Sequence, residues 1–471
     1  MAARRPQARA VTSTARPTAA AALAALPDAA RARAQRLASA ARERGLALYL
    51  VGGPVRDLVL GRPLRDADLT VSAPNDAAPG VETEALARAA ALAGDRVVAH
   101  GRFGTVRIEL PDGAAIDLAT LRSETYATPG ALPQVAAGTL EQDLRRRDFT
   151  LNALALPLSA APDGPSALID PGGGVADLAA GELRVFHAAS FRDDPTRALR
   201  AARFASRFGF TLARESRSAL RSALRSGAFG AVSGERFAAE LEKLFAEGEA
   251  GGNPARALAL LHEWHVLAAL EPGLALPRAA LAPLRRLEAL LAKRGQTPFG
   301  QVDPARFWVV GMMVWLAALP APLARRVLAR LAIRGAIATR IASFARTRDT
   351  ALRALLSVRG RSAIDAALRA LPAEELAALR AWAPASEQRR IDRHVAEDRE
   401  LVLPVTGDDL VAAGLAGPDV GRALARIRAA LLDRAIATRE EALLLARELA
   451  AGARRAQAKP VARAAQRRRK P

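Results

Sequence analysis

The sequence predicts an α+β protein, with a small mixed α/β head followed by helices to the end of the chain. Three observations carry this. Between residues 46 and 156, short apolar runs end in glycine or proline turns, the punctuation of short strands. After about residue 190 the chain turns into long Ala/Leu/Arg stretches with helical spacing and almost no β-branched alternation. Finally, 51% of the 471 residues are hydrophobic, enough to bury sizeable cores in more than one domain and to exclude global disorder.

The elements follow in order. Residues 28–45 read as an Ala/Arg-rich helix. The apolar run 46–51 reads as a strand closed by Gly52 and Gly53, and 55–60 resumes helical spacing. Residues 67–71 form a second strand and 81–93 a helix. Segments 105–110 and 114–120 pair as a hairpin turned at Pro111, Asp112 and Gly113. Pro/Gly punctuation near 250–254, 296–304, 359–360, 382–384 and 404–407 divides the helical remainder. The expected domains are a disordered basic arm (1–27), a head (28–157), a helical neck (158–246), a helical body (247–400), a helical tail (401–451) and a disordered basic tail (452–471). The uncharged run 307–324 reaches the length of a spanning helix, but Pro320 and Pro322 break it and arginines flank it. It reads as a core helix, so no membrane partner is expected.

Composition narrows the chemistry. With no cysteine, disulfides, thiolate zinc sites and cysteine nucleophiles are excluded. There are 69 basic residues against 48 acidic ones, a formal net charge of +21. Only Lys243, Lys293, Lys459 and Lys470 are lysine; a GC-rich genome explains arginine over lysine but not the surplus itself. The surplus points to a polyanionic partner. Twelve of these charges fall in the first 27 and last 20 residues, where they would add general, salt-dependent affinity for such a partner, nucleic acid or an acidic membrane surface. The N-terminal stretch has no strong apolar run, so secretion is not expected; it reads as a basic arm rather than an organellar presequence, and the protein as cytoplasmic.

Three motifs carry chemistry. The first is Gly52-Gly53-Pro54-Val55-Arg56-Asp57, continuing to Asp66 and Asp68. A glycine turn opening a helix lets backbone N–H groups approach a phosphate, and Arg56 adds a charged fork. Alone, such a turn is as readily structural. Asp66 and Asp68 are two apart on an expected strand, so both carboxylates face one way, and their oxygens suit Mg²⁺. Asp117, set among apolar neighbours on a second strand, is an acid that needs a partner or a metal. Two such ions can serve in-line nucleotidyl transfer. The second motif, Arg145 to Ala153, brings Arg147, Asp148 and Asn152 together, groups able to grip a triphosphate and a ribose hydroxyl. The third runs from Phe191 to Phe204. Asp194 and Pro195 start a helix on which Arg197, Arg200 and Arg203 recur every three residues, an array that needs an anion to relieve repulsion. The plainer alternatives are a solvated basic patch and an ordinary basic helix face.

In this order the motifs resemble those of the class II tRNA nucleotidyltransferase and bacterial poly(A) polymerase family. Segment 170–184 is similar to that family's flexible turn and 235–245 to its helix-stabilising motif. The resemblance covers about residues 46–246, with looser similarity at 406–410 and 417–421 in the tail. It implies a nucleotidyltransferase palm in the head and tRNA binding by the tail. Asp66 and Asp68 would hold Mg²⁺ in a two-metal site with Asp117 nearby. Gly52, Gly53 and Arg56 would meet the triphosphate, and Arg147, Asp148 and Asn152 the phosphate and ribose. Asp194 and Arg197 would read the incoming base, with Arg200 and Arg203 beside them. The implied activity is addition of CCA to tRNA 3′ ends from CTP and ATP. A poly(A) polymerase, an A-only enzyme and a C-only enzyme share the same motifs, and the loop from Arg122 to about Glu141 is a candidate for governing the switch between C and A. Asp193 stands where many members carry Glu, which leaves the product open. A non-catalytic RNA-binding protein is disfavoured because all three acids are present. No His-Asp pair supports an appended phosphohydrolase, and His262 and His265 read as core or helix-end residues.

Overall fold

The computed structural model describes residues 17–64, 66–72, 80–100, 104–159, 167–247, 252–293 and 297–467. The chain divides into two compact units. The first holds residues 1–275 with 329–333, and the second holds 276–328 with 334–471.

The first unit is built on a six-stranded sheet. Its strands are β1 (Leu48–Val51), β2 (Ala67–Val71), β3 (Arg96–His100), β4 (Thr105–Glu109) and β5 (Ala115–Thr120), and a later strand, Ala155–Pro157, completes it. Between these, β6 (Arg122–Thr125) and β7 (Gln134–Ala137) form a separate two-stranded hairpin, so Ala155–Pro157 is β8. The spatial order is β3-β4-β5-β2-β1-β8. Within this sheet only β2 and β5 pair in parallel, and their register sets Asp68 opposite Asp117. Alternation along the strands buries Ile108, Ile116, Leu118 and Leu69 while leaving Asp68 and Asp117 part-exposed. Helices Asp28–Glu43 and Val81–Ala90 pack on one another, and the second also lies against β4 and β5. Their small residues Ala30, Ala34, Ala38, Ala87 and Ala90 are buried and permit that close approach.

The sequence-based elements reappear with trimmed ends, and three differences have physical causes. Residues 17–27, expected to be disordered, include helix Ala19–Ala25, capped by Thr18 and burying Ala22; residues 1–16 lie outside the described set. The last helix, Arg439–Arg467, runs well into the stretch expected to be disordered. Its Ala, Arg, Gln and Lys residues are strong helix formers. The first unit also extends past the expected head–neck limit of 246, through helices Pro254–Glu263 and Val266–Leu270. His262 and His265 sit exposed at the ends of these helices.

In the second unit, helix Phe307–Leu316 is buried almost all round, among helices Arg278–Ala292, Gly335–Ser357 and Ala373–Trp382. No described helix is long and apolar enough to cross a membrane. Residues 401–451 carry their own cluster of Val405, Leu410, Ile427, Ala442 and Ala446. A buried ion pair ties them to the preceding helices: Arg428 donates to Asp365 at 2.8 and 3.0 Å.

Candidate active site

The glycine turn sits where β1 runs into helix Gly53–Val59. Gly52 has φ +73°, and a Cβ there would lie 2.6 Å from Nη1 of Arg147, so glycine is required on two counts. Gly53 faces Arg56 and Asp68: a Cβ would stand 3.6 Å from Nη2 of Arg56 and 3.9 Å from Oδ2 of Asp68. Arg56 is buried. It donates to Asn152 Oδ1 at 2.6 Å and to Asp57 at 3.0 Å, and its guanidinium lies 4.8 Å from the centre of the Phe208 ring. The cation is therefore fixed before any ligand arrives.

The three acids meet at the sheet. Asp66 is exposed just before β2, and Asp68 and Asp117 stand opposite each other on β2 and β5. Burial first, then the charge of Asp117, push the Asp68 carboxyl up to about 6 against the pull of Arg147 and Arg56. Asp117 has the partner that its setting demands, for Arg107 on β4 donates to both its oxygens at 3.1 and 3.2 Å. All three acids line one cavity of about 510 Å³ with Asp57, Arg62 and Arg107. Among the described residues, no three acids or histidines converge closely enough to hold an ion alone. The donor set still fits Mg²⁺. That ion takes one or two protein carboxylates and completes its shell with phosphate oxygens, and Asp66, Asp68 and Asp117 offer carboxylates around one cavity.

The second motif follows helix Leu140–Arg145, which opens with a capping box between Thr139 and Gln142. Asp143, buried beneath, binds Arg146 at 2.6 Å and Arg147 at 3.0 Å and holds both guanidinium groups in place. Asp148 is 7% exposed and accepts from Phe149 N, Asn152 Nδ2 and Arg200. Burial raises its carboxyl, but the Arg200 charge and the Asn152 and Arg200 hydrogen bonds outweigh this and hold it at about 2. Asp148 and Asn152 meet across the short 3₁₀ turn Thr150–Asn152 rather than on an α-helical face.

The third motif forms helix Thr196–Phe208. Asp194 Oδ1 accepts from the Thr196 N–H at 3.1 Å, a cap-like bond at the helix start. Arg197, 5% exposed, donates to Ser190 Oγ at 2.6 Å and to the Arg146 carbonyl at 2.8 Å. Arg200 binds Asp148 at 2.6 Å. Arg203 points its pairs elsewhere, to Glu247 and to Glu240, and stacks over Phe204. The anions that relieve this arginine row thus include the protein's own acids.

These parts close a cavity of about 420 Å³, lined by Gly52, Gly53, Arg56, Asp68, Arg147, Asp148, Asn152, Asp194, Arg197 and Arg200. Ten of the thirteen residues singled out from sequence come together here. Asp66 and Asp117 line the neighbouring cavity, with Asp68 bordering both, and Arg203 lines neither. The first cavity also takes in Glu124 and Tyr126, from the 122–141 loop, with Arg146 and Phe204 from the second and third motifs, while Arg107 in the second cavity was missed by sequence reasoning. Arg107 became visible only through its strand register with Asp117.

Residues 48–184 match the Poly A polymerase head domain. An A-adding tRNA nucleotidyltransferase of Geobacter sulfurreducens is 34% identical over 87% of this chain and 46% of its own length. A CC-adding tRNA nucleotidyltransferase of Deinococcus radiodurans is 35% identical over 81% of this chain and 83% of its own. The chain thus spans about half the length of the first relative and most of the second. Among solved structures, the Thermotoga maritima CCA-adding enzyme complexed with tRNA superposes with a TM-score of 0.68, at 26% identity over 93% of this chain and 98% of that one. Glycine turn, paired acids, arginine helix and these matches together show that the chain belongs to the tRNA nucleotidyltransferase family.

Proposed function

We propose that the chain extends the 3′ end of tRNA without a nucleic-acid template, and that its product is CCA built from CTP and ATP. One observation carries the reading: Asp194 and Arg197, an acceptor and a donor, line the same cavity as Asp68. A carboxylate accepts from cytosine N4 or adenine N6, and a guanidinium donates to the adjacent ring nitrogen or carbonyl. Guanine and uracil offer the opposite edge.

The remaining residues would take roles consistent with their positions around the two cavities. Arg56 and Arg147 would take the triphosphate, with the Gly52–Gly53 backbone able to come close. Asp148 and Asn152 would orient the ribose. Asp66 and Asp68 would hold Mg²⁺ beside Asp117. There the ion would supply charge to lower the pKa of the attacking hydroxyl and to stabilise the departing pyrophosphate. The cavity across Asp68 from the nucleotide would receive the acceptor end of the tRNA.

A partial product is the second reading, favoured by relatives that add only A or only CC. The test offers the purified chain tRNA lacking its last three nucleotides, and tRNA ending in CC, with each NTP separately and with CTP plus ATP. Growth of CCA supports the main reading. Addition confined to A on the CC end, or to CC, supports the second. A long A tail identifies a poly(A) polymerase, and no incorporation with Mg²⁺ present removes all of these.

A further inference from the structure

We infer that Arg236 is a positioning residue for base selection, which fixes Asp194 as a one-sided acceptor and anchors it to the segment between β6 and β7. This rests on the reading above, in which Asp194 meets the incoming base. Arg236 lies on helix Gly234–Ala246, about forty residues beyond the acid it serves. Its Nη2 donates to Asp194 Oδ1 at 2.8 Å and its Nη1 to the Gly130 carbonyl at 3.0 Å. Oδ1 also accepts from the Thr196 N–H at 3.1 Å and the Thr196 hydroxyl at 2.6 Å. Three donors converge on one carboxylate oxygen, and none of these bonds falls on Oδ2. With Oδ1 saturated, the carboxylate cannot exchange its oxygens, and Oδ2 is the atom that reads the base.

The other end of the bridge is equally fixed. Gly130 has φ +74°, and a Cβ there would stand 3.0 Å from Val232 and 3.2 Å from Ala231. Its N–H donates to the Asp193 carbonyl at 3.2 Å. The Gly130 carbonyl is therefore a stationary target, and a planar guanidinium spans it and Asp194 at once. Lysine, with a single ammonium point, has no such fork.

The consequence concerns uracil. Cytosine shows an N4 amino donor beside the N3 acceptor, and uracil shows an O4 acceptor beside an N3–H donor. A carboxylate pinned at the N4 position repels uracil O4. Once unpinned, it can shift across to accept from uracil N3–H, and rejection weakens.

The test measures single-nucleotide addition to tRNA lacking its last three nucleotides, with CTP and UTP compared by kcat/KM. Arg236→Ala and Arg236→Lys should each lower the CTP-over-UTP preference by about tenfold or more, the scale of one well-placed base contact. The loss should appear largely as a lower KM for UTP. Gly130→Ala, which moves the carbonyl end of the bridge, should lower the preference in the same direction. Thermal melting of each variant separates this from misfolding. If CTP and UTP lose efficiency together and the ratio holds in Arg236→Lys and Gly130→Ala, Arg236 is merely structural and the inference is overturned. If the unmutated chain adds no nucleotide, it is the proposed function that has failed instead.

Discussion

The Asp148–Arg200 pair gives the most quantitative prediction. Asp148 is buried and Arg200 partly exposed at the cavity wall, and Asp148 Oδ2 lies 2.6 Å from Arg200. Holding the carboxyl at about 2, against an ordinary value of 3.8, corresponds to about 2 kcal/mol of stability at neutral pH. The sign follows from the depressed value. The contribution is fully present above the unfolded carboxyl's pKa and is lost as pH falls from about 4 through about 2. Asp148→Asn removes it and leaves the Arg200 guanidinium facing an amide. Urea unfolding at pH 7 should show the variant about 2 kcal/mol less stable, because the depressed carboxylate is gone while Arg200 keeps only the longer contact with Glu240 at 3.6 Å. By pH 3 about half of the gap between variant and parent should have closed. A gap of equal size at pH 7 and pH 3 would refute the ion-pair account and leave simple packing as the cause.

Three further outcomes are expected. Asp68→Ala should abolish nucleotide incorporation while filter binding of tRNA stays within about twofold, since phosphate contacts dominate RNA affinity; surviving activity removes Asp68 from the metal site. Gly52→Ala forces a side chain into φ +73° and against Arg147, so melting should shift by about 1–3 kcal/mol and KM for the triphosphate should rise several-fold; an unchanged KM would show that Arg147 does not contact the triphosphate. Arg428→Met strands Asp365 in the second unit, and chemical denaturation should register a loss of about 3–5 kcal/mol; a loss under 1 kcal/mol would mean that water reaches the pair.

The sequence made some elements legible and hid others for reasons that can be named. Strands β1, β2, β4 and β5 are apolar and bounded by turn residues, so their patterns stand out. The β6–β7 hairpin is largely polar and exposed, with Gln134, Ala136 and Ala137 open to solvent, and offers no alternation to read. β8 spans three residues and has no period at all. In the site, the motif residues announced themselves by spacing, whereas the residues that hold them did not. Asp143 belongs to none of the motifs, and its burial beneath Arg146 and Arg147 is a property of the fold. Glu240 and Glu247 lie too far along the chain to be matched with Arg203 by inspection. Arg236 belonged to a segment read only as helix-stabilising, and its bond to Asp194 is a property of the fold.

The arginine helix also bears on how the protein folds. Arg197 reaches back 51 residues to the Arg146 carbonyl, Arg200 reaches back 52 to Asp148, and Arg203 reaches forward 44 to Glu247. None of these closures is local, and each requires a long loop to lose its freedom before the contact can form. The wall of the pocket therefore rests on contacts that carry a high loop-closure cost. A nascent chain that has made the sheet but not yet emerged through residue 247 still lacks part of the helix's support, so the helix is complete in its contacts only when the whole first half of the chain has arrived.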